Sequence, residues 1–269
     1  MSIYYVDGEF MPAEAAVIPV DDLALMRGYG VFDYLRTYAG RPLHLQEHVA
    51  RLICSAAKIG IQMPWDEAEI IAIVEETLRR NDLGEAEDAN VRILITGGSS
   101  SDFITPEGRP RLLVLVTPLA PKPVEWYSEG VKVITFPSSR TIPGAKSIDY
   151  IPATMALGKA KRAGAIEALY VEADGRALEC TSSNIFAVTR GVVITPGEAI
   201  LAGITRKTVL TLAEAHHPVK IRDLYLDELL AADEVFVTGS GKNLVPVIQI
   251  DDTVIGDGRP GPVTQGLMA

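Results

Sequence analysis

The stretch Gly144-Ala145-Lys146-Ser147-Ile148-Asp149-Tyr150 decides how the rest of this chain reads, together with an acid at Glu179 and the turn Gly203-Ile204-Thr205-Arg206. Pro143-Gly144 bends the chain just before the lysine, and Asp149 and Tyr150 separate it from a helical pattern. A lysine held among bulky neighbours loses hydration and becomes a nucleophilic amine. Position alone favours a solvated surface lysine, the usual place for that residue type.

Glu179 lies in Ala177-Leu178-Glu179-Cys180-Thr181-Ser182-Ser183-Asn184, between apolar residues and a run of small polar side chains. Small residues let a flat ring approach the backbone, and a carboxylate there could keep a ring nitrogen protonated. A strand-end glutamate in water fits the same letters. At Gly203-Ile204-Thr205, Thr205 reads as a natural N-cap and Ile204 as a hydrophobic staple onto Val209. Such a turn aims amides and the positive end of a helix dipole at an anion, with phosphate a good match. A second loop, Thr238-Gly239-Ser240-Gly241-Lys242-Asn243, could present Ser240 and the following amides to the same phosphate or to a carboxylate. It is not a nucleotide loop: the first glycine is not five residues before the Gly-Lys pair, and no Ser or Thr follows Lys242.

A chain of 269 residues holds one large or two modest domains. With 48% hydrophobic and 22% charged residues it reads as soluble and globular. The net charge of −10 repels nucleic acid and anionic membrane surfaces. Cys54 and Cys180 form no CxxC pair, and Met1 to Gly8 lacks the basic start and long apolar middle of an export signal. A reduced, cytoplasmic location is the expectation. His44 and His48 stand four apart without a third ligand, so no metal site is expected, and no GxSxG or Ser-His-Asp set is present.

Ile3 to Val6 and the residues from Phe10 read as a hairpin around Asp7-Gly8. Residues 31–38 alternate, with Phe32, Tyr34, Arg36 and Tyr38 on one face and Val31, Asp33, Leu35 and Thr37 on the other, which predicts a strand. Apolar residues at helical spacing predict helices over 44–59 and 66–80, and Val91 to Thr96 and Leu112 to Val116 read as strands. Pro118, Pro121 and Pro123 mark a linker, so the expected division is 1–117, a linker at 118–123, and 124–269 carrying the lysine. Beyond it, strands are expected over 131–136, 166–172, 184–189, 192–195, 235–238 and 245–250, with helices over 152–163, 205–215 and 261–268. Hairpins and helices mixed without regular alternation argue for α+β in both halves.

Taken in order, these pieces resemble the fold-type-IV pyridoxal-phosphate enzymes: branched-chain aminotransferases, D-amino-acid aminotransferases and aminodeoxychorismate lyases. The resemblance spans nearly the whole chain, through Gly28-Tyr29-Gly30-Val31-Phe32-Asp33, Glu47-His48-Val49-Ala50-Arg51-Leu52, Lys146-Ser147, Leu178-Glu179 with Ser183-Asn184-Ile185-Phe186, Gly203-Ile204-Thr205-Arg206, Asp233-Glu234-Val235-Phe236, and Gly258-Arg259-Pro260-Gly261-Pro262-Val263-Thr264. It implies a small N-terminal α+β domain, a C-terminal pseudo-barrel and a homodimer whose partner lends part of the substrate pocket. It also implies that Lys146 takes the cofactor's aldehyde and shuttles the substrate proton, and that Glu179 pairs with the ring nitrogen. Tyr150 would meet the phenolic oxygen, while Arg51, Ile204, Thr205 and Ser240 would hold the phosphate.

Amino acids and 2-oxo acids are then the expected substrates. Their α-carboxylate calls for a guanidinium fork. Arg27 and Arg92 are the candidates, with Tyr29, Gly241 and Lys242 as further substrate contacts; for each arginine an ion pair with one of the 35 acids is the competing role. The D-specific group usually carries an arginine where Gly97 stands, and the branched-chain group a tyrosine where Asn90 stands. Two arginines at new positions lean the reading toward D-amino acids, ahead of branched-chain L-amino acids and, more distantly, aminodeoxychorismate lysis.

Overall fold

The computed structural model describes residues 2–81 and 88–269. They form two compact units, one reaching to Ala120 and including Ala145–Asp149, the other comprising Pro121–Gly144 and Tyr150–Ala269.

The first unit is built on a six-stranded sheet ordered β2-β1-β6-β5-β3-β4, from β1 (Ile3–Val6), β2 (Glu9–Pro12), β3 (Gly30–Tyr38), β4 (Arg41–Pro42), β5 (Ala89–Thr96) and β6 (Arg111–Pro118). A short helix α1 (Leu23–Arg27) leads into β3, and α2 (Leu45–Lys58) and α3 (Glu67–Asn81) connect β4 to β5. The expected hairpin forms, with Asp7 and Gly8 at φ 49° and 107°, the left-handed backbone a two-residue turn demands. Leu45, Val49, Leu52 and Ala56 of α2 are buried with Val31, Leu35, Val91 and Ile93 of the sheet. Each large aliphatic side chain so buried contributes on the order of 1.5–3 kcal/mol before chain entropy is counted. β3 keeps its predicted faces, with one addition: Asp33 is fully buried beside Val31 and Leu35.

Chain continuity would place Lys146 in the second unit, as expected from the sequence, yet residues 145–149 associate with the first. The reason is backbone pairing. Phe32 N donates to Lys146 O at 2.9 Å, Ile148 N donates to Gly30 O at 3.0 Å, and Ser147 bridges Val31. The segment lies along β3 as an extra antiparallel edge.

In the second unit, β7 (Val131–Pro137), β8 (Glu167–Val171), β9 (Arg176–Cys180), β10 (Asn184–Thr189), β11 (Val192–Thr195), β12 (Val219–Ile221), β13 (Leu224–Tyr225), β14 (Glu234–Gly239), β15 (Asn243–Ile250) and β16 (Thr253–Val254) form one sheet. Its path β10-β14-β15-β7-β8-β9 returns to β10 through the pair Asn184 with Glu179, which closes a barrel. Helices α4 (Glu125–Ser128), α5 (Ile151–Arg162), α6 (Ile204–Glu214), α7 (Leu226–Leu230) and α8 (Pro262–Met268) complete the unit. The two units are thus a small α+β domain and a pseudo-barrel. Strand β9 is absent from the sequence expectation because its five residues show no alternation between an apolar and a wet face; both of its faces are buried. No helix of the described residues is long and apolar enough to cross a membrane.

Gly30 is where β3, β5 and the lysine segment meet. A Cβ there would lie 2.7 Å from Ile95 O and 2.9 Å from Ile148 Cδ1. Gly30→Ala is therefore expected to lower unfolding stability in urea by about 1–3 kcal/mol, the usual cost of overpacking; an unchanged midpoint would show that the lysine segment is not packed there.

Candidate active site

In the first unit, Lys146 is held from three sides. Its carbonyl joins β3, its amide donates to Ser55 Oγ at 3.1 Å, and its Nζ lies 4.6 Å from the centroid of the Phe32 ring. Ser55 in turn donates to Arg51 O at 2.8 Å, so one turn of α2 positions both the lysine segment and Arg51. The Arg51 guanidinium grips Asp33, Nε to Oδ2 at 2.8 Å and Nη2 to Oδ1 at 2.7 Å, and His48 Nδ1 meets Oδ1 at 2.7 Å. Burial alone would raise the Asp33 carboxyl, but the hydrogen bonds from Arg51 and His48 outweigh it and lower it from 3.8 to about 2. Burial holds His48 below its ordinary value despite Asp33, so the neutral ring donates its Nδ1 proton.

Tyr29 serves the fold rather than facing outward: its hydroxyl donates to Ile59 O at 2.9 Å, and its ring fills the space where a Cβ on Gly97 would come within 2.4 Å. That contact explains why a larger residue cannot stand at 97. Arg27, exposed at the end of α1, donates to Met26 O, and the Arg92 guanidinium lies 5.7 Å from the Tyr34 ring centroid. Among the described residues neither arginine pairs with an acid. They are not neighbours on the sheet. Arg92 pairs with Tyr34, four residues along β3 from Gly30, roughly 13 Å at the strand rise.

In the second unit, Glu179 is 2% exposed. Arg140 Nε donates to its Oε1, and Asn184 Nδ2 and Leu201 N donate to its Oε2 at 3.4 and 3.2 Å. Three of the roughly four lone-pair positions of the carboxylate are used, leaving one on Oε1. Burial works against the charge of Arg140, but Glu179 more than offsets that and raises the guanidinium. Tyr150, at the start of α5, also takes a hydrogen bond from Arg140; burial pushes its phenol up and Arg140 draws it partly back.

Helix α6 corrects one expectation. Its N-cap is Gly203, not Thr205, and no side chain caps it. A Cβ on Gly203 would lie 2.0 Å from Asn184 Oδ1, so only glycine fits, and Lys207 N already bonds Gly203 O. Ile204 and Thr205 therefore open the first turn with their amides at the positive end of the helix. Ser240 and Gly241 occupy the turn between β14 and β15. Lys242, in contrast, is buried, with its amine on Glu167. Thr181 and Thr238 are buried hydroxyls with no protein partner. Their place beside the Glu179–Asn184 pair matters, because buried polar groups without partners mark where a bound group or water completes the structure.

A family model for class IV amino-transferases matches residues 30–250. The chain belongs to that family. This class IV aminotransferase is 35% identical to a putative branched-chain-amino-acid aminotransferase of Methanocaldococcus jannaschii, over 98% of this chain and 93% of the relative. It is 33% identical to a D-alanine aminotransferase of Bacillus licheniformis, over 97% and 93%. Among solved structures it resembles the Escherichia coli branched-chain amino acid aminotransferase, at TM-score 0.91 and 28% identity over 99% of this chain and 92% of the other. It also resembles the T.th. branched-chain amino acid aminotransferase solved with pyridoxamine 5′-phosphate, at TM-score 0.91 and 30% identity over 99% and 91%.

Sequence reasoning overlooked Asp33, Ser55 and Arg140. The signal for Asp33 was present: an acid on the apolar face of a strand must find partners. Nothing local marks Arg140, whose role depends on a glutamate 39 residues away.

Asp33 has a pH signature. Its folded value is depressed, so the stability it contributes is complete above about pH 4 and is lost as pH falls toward 2. Asp33→Asn is expected to cost about 3–5 kcal/mol at pH 7, the cost of breaking a buried charge pair. The difference from the parent should shrink in urea titrations near pH 3.

Proposed function

We propose that this class IV aminotransferase uses pyridoxal 5′-phosphate to move an amino group between an amino acid and a 2-oxo acid, with D-amino acids as the preferred donors. The observation that carries the cofactor reading is the buried Glu179 carboxylate, held by Arg140, Asn184 and Leu201 with one acceptor position left over. That suits a protonated ring nitrogen. The uncapped first turn of α6 suits the phosphate, and the lysine strapped beside Phe32 suits the aldehyde.

When bound, the cofactor supplies an aldehyde for the substrate amine and a cationic ring that accepts the electron pair left at the α-carbon. Lys146 would hold the aldehyde and, as a free amine, its Nζ would take the proton from the substrate α-carbon and return it. Glu179 keeps the ring nitrogen protonated, and Tyr150 donates to the phenolic oxygen. The Ile204 and Thr205 amides, the Thr205 hydroxyl, Ser240 and Arg51 hold the phosphate. Asp33 and His48 keep the Arg51 fork in one orientation.

Two arginines without acidic partners among the described residues support a carboxylate-binding role for Arg27 and Arg92. Their separation on one chain fits a homodimer in which Arg27 serves a second copy; Leu25 at 63% and Met26 at 37% exposure stand beside it. The relative from Bacillus licheniformis agrees with a D-amino-acid substrate. Branched-chain L-amino acids are the second reading, favoured by the solved neighbours.

Lys146→Ala is expected to be colourless and inactive with every amine, and a variant that still transaminates overturns the assignment. Arg27→Ala and Arg92→Ala should each raise KM for the amino acid by roughly 10- to 100-fold, the penalty of losing a charged hydrogen bond, while cofactor affinity stays within about twofold. Mixing the loaded enzyme separately with D-alanine, D-glutamate and L-leucine decides between the readings: bleaching by L-leucine alone removes the D-specific one.

A further inference from the structure

Lys242 is the one lysine of the second unit that the proposed chemistry leaves without a task although it is buried. Its Nζ donates to Glu167 Oε1 at 2.5 Å, to Ser182 Oγ at 3.0 Å and to Ser183 Oγ at 2.9 Å. An ammonium has three protons, and all three are used. Lys242 therefore has none left for a substrate, which changes the role the sequence gave it.

The two serines respond differently. Ser182 accepts from Lys242 and passes its own proton to Glu167 Oε1. Ser183 accepts from Lys242, and its own proton has no acceptor among the described residues, although the side chain is 5% exposed. With the ammonium on one side of Ser183 Oγ, the O–H must point away from it. Polarisation by the ammonium strengthens that O–H as a donor.

Two other hydroxyls in this part of the barrel also lack partners. Thr181 Oγ1 precedes it in the same turn and Thr238 Oγ1 lies across the sheet from Asn184, both buried without partners. Gly239 faces the turn without a side chain: a Cβ there would lie 3.1 Å from Ser182 O and 3.5 Å from Ser183 Oγ. Buried hydroxyls with unused donor capacity suit a bound acceptor, and the adjacent ammonium favours an anionic one.

Stability does not account for the Lys242–Glu167 pair. Glu167 is 2% exposed and its Oε2 has no partner, so the pair carries an uncompensated polar atom. Apolar replacement of such a pair is often neutral or stabilising.

We propose that Lys242, anchored by Glu167, is a positioning residue that turns the Ser183 hydroxyl outward as a donor to a bound anionic group. The proposal rests on the transaminase reading, under which that anion is either the phosphate of the cofactor or the carboxylate of the substrate. Glu167 cancels most of the ammonium charge at longer range, so the effect of Lys242 is orientation passed through one hydroxyl.

The test compares three variants with the parent: Ser183→Ala, the neutral pair Lys242→Met with Glu167→Gln, and all three changes together. Using the neutral pair avoids stranding one buried charge, and Lys242→Met alone is omitted for that reason. Thermal unfolding comes first. If the pair variant does not fold, Ser183→Thr, which keeps the donor, is compared with Ser183→Ala instead. Apoprotein is titrated with pyridoxal 5′-phosphate and with pyridoxal by tryptophan fluorescence, and the loaded enzyme with 4-methylvalerate by its visible band.

Ser183→Ala and the pair variant are each expected to weaken one of the two anions about tenfold, the loss for a charge-assisted hydrogen bond. The triple variant should bind no more weakly than Ser183→Ala, because Lys242 acts through that hydroxyl. Loss confined to pyridoxal 5′-phosphate identifies the phosphate; loss confined to 4-methylvalerate identifies the carboxylate. The proposal is overturned if Ser183→Ala binds both anions like the parent, if the pair change weakens binding equally in the Ser183→Ala background, or, on the fallback route, if Ser183→Thr loses as much as Ser183→Ala. Failure of the parent to bind pyridoxal 5′-phosphate overturns the transaminase reading instead.

Discussion

Pairing of residues 145–149 with β3 is the constraint that fixes the backbone of Lys146, the lysine proposed for the cofactor. A lysine on an unattached loop would keep its four-carbon stem mobile and its amine hydrated. Here the backbone on both sides of Lys146 is bonded to Gly30 and Phe32, and its amide is fixed on Ser55. Its amine lies over the Phe32 ring. The same strand that supplies Phe32 also supplies Asp33 from its opposite face, so one element organises the lysine and the arginine proposed for the phosphate together.

Buried carboxylates recur among the described residues, and Asp33, Glu179 and Glu167 are each met by a cation together with polar donors, although Glu167 keeps one oxygen without a partner. Asp33 takes Arg51 and His48, Glu179 takes Arg140, Asn184 and a backbone amide, and Glu167 takes Lys242 and Ser182. An unpaired carboxylate in an apolar interior costs several kcal/mol, so each must be met by donors of fixed geometry. The result is rigidity around each buried carboxylate. A carboxylate held by several donors keeps its orientation.

Secondary structure was legible wherever one face was apolar and the other wet. The α2 stripe Leu45, Val49, Leu52 and Ala56 and the alternation in β3 are local patterns, and both elements form where the pattern puts them. The reading failed where both faces are buried. β9 carries a glutamate in a strand without a solvent face, and periodicity cannot report that. Thr205 illustrates a finer failure: cap propensity favours it, but Asn184 packs against Gly203 and the N-cap falls there, two residues earlier.

Residue type and spacing were enough to give most of the elements in order and membership of a family whose motifs recur in that order. All of these are written locally along the chain. Three-dimensional packing was needed to decide that Lys146 joins the first unit, that Arg140 holds Glu179, and that Lys242 turns inward to Glu167 from 75 residues away. Such pairings are made between distant segments. A single residue's neighbours in sequence contain no record of which buried charge it will meet.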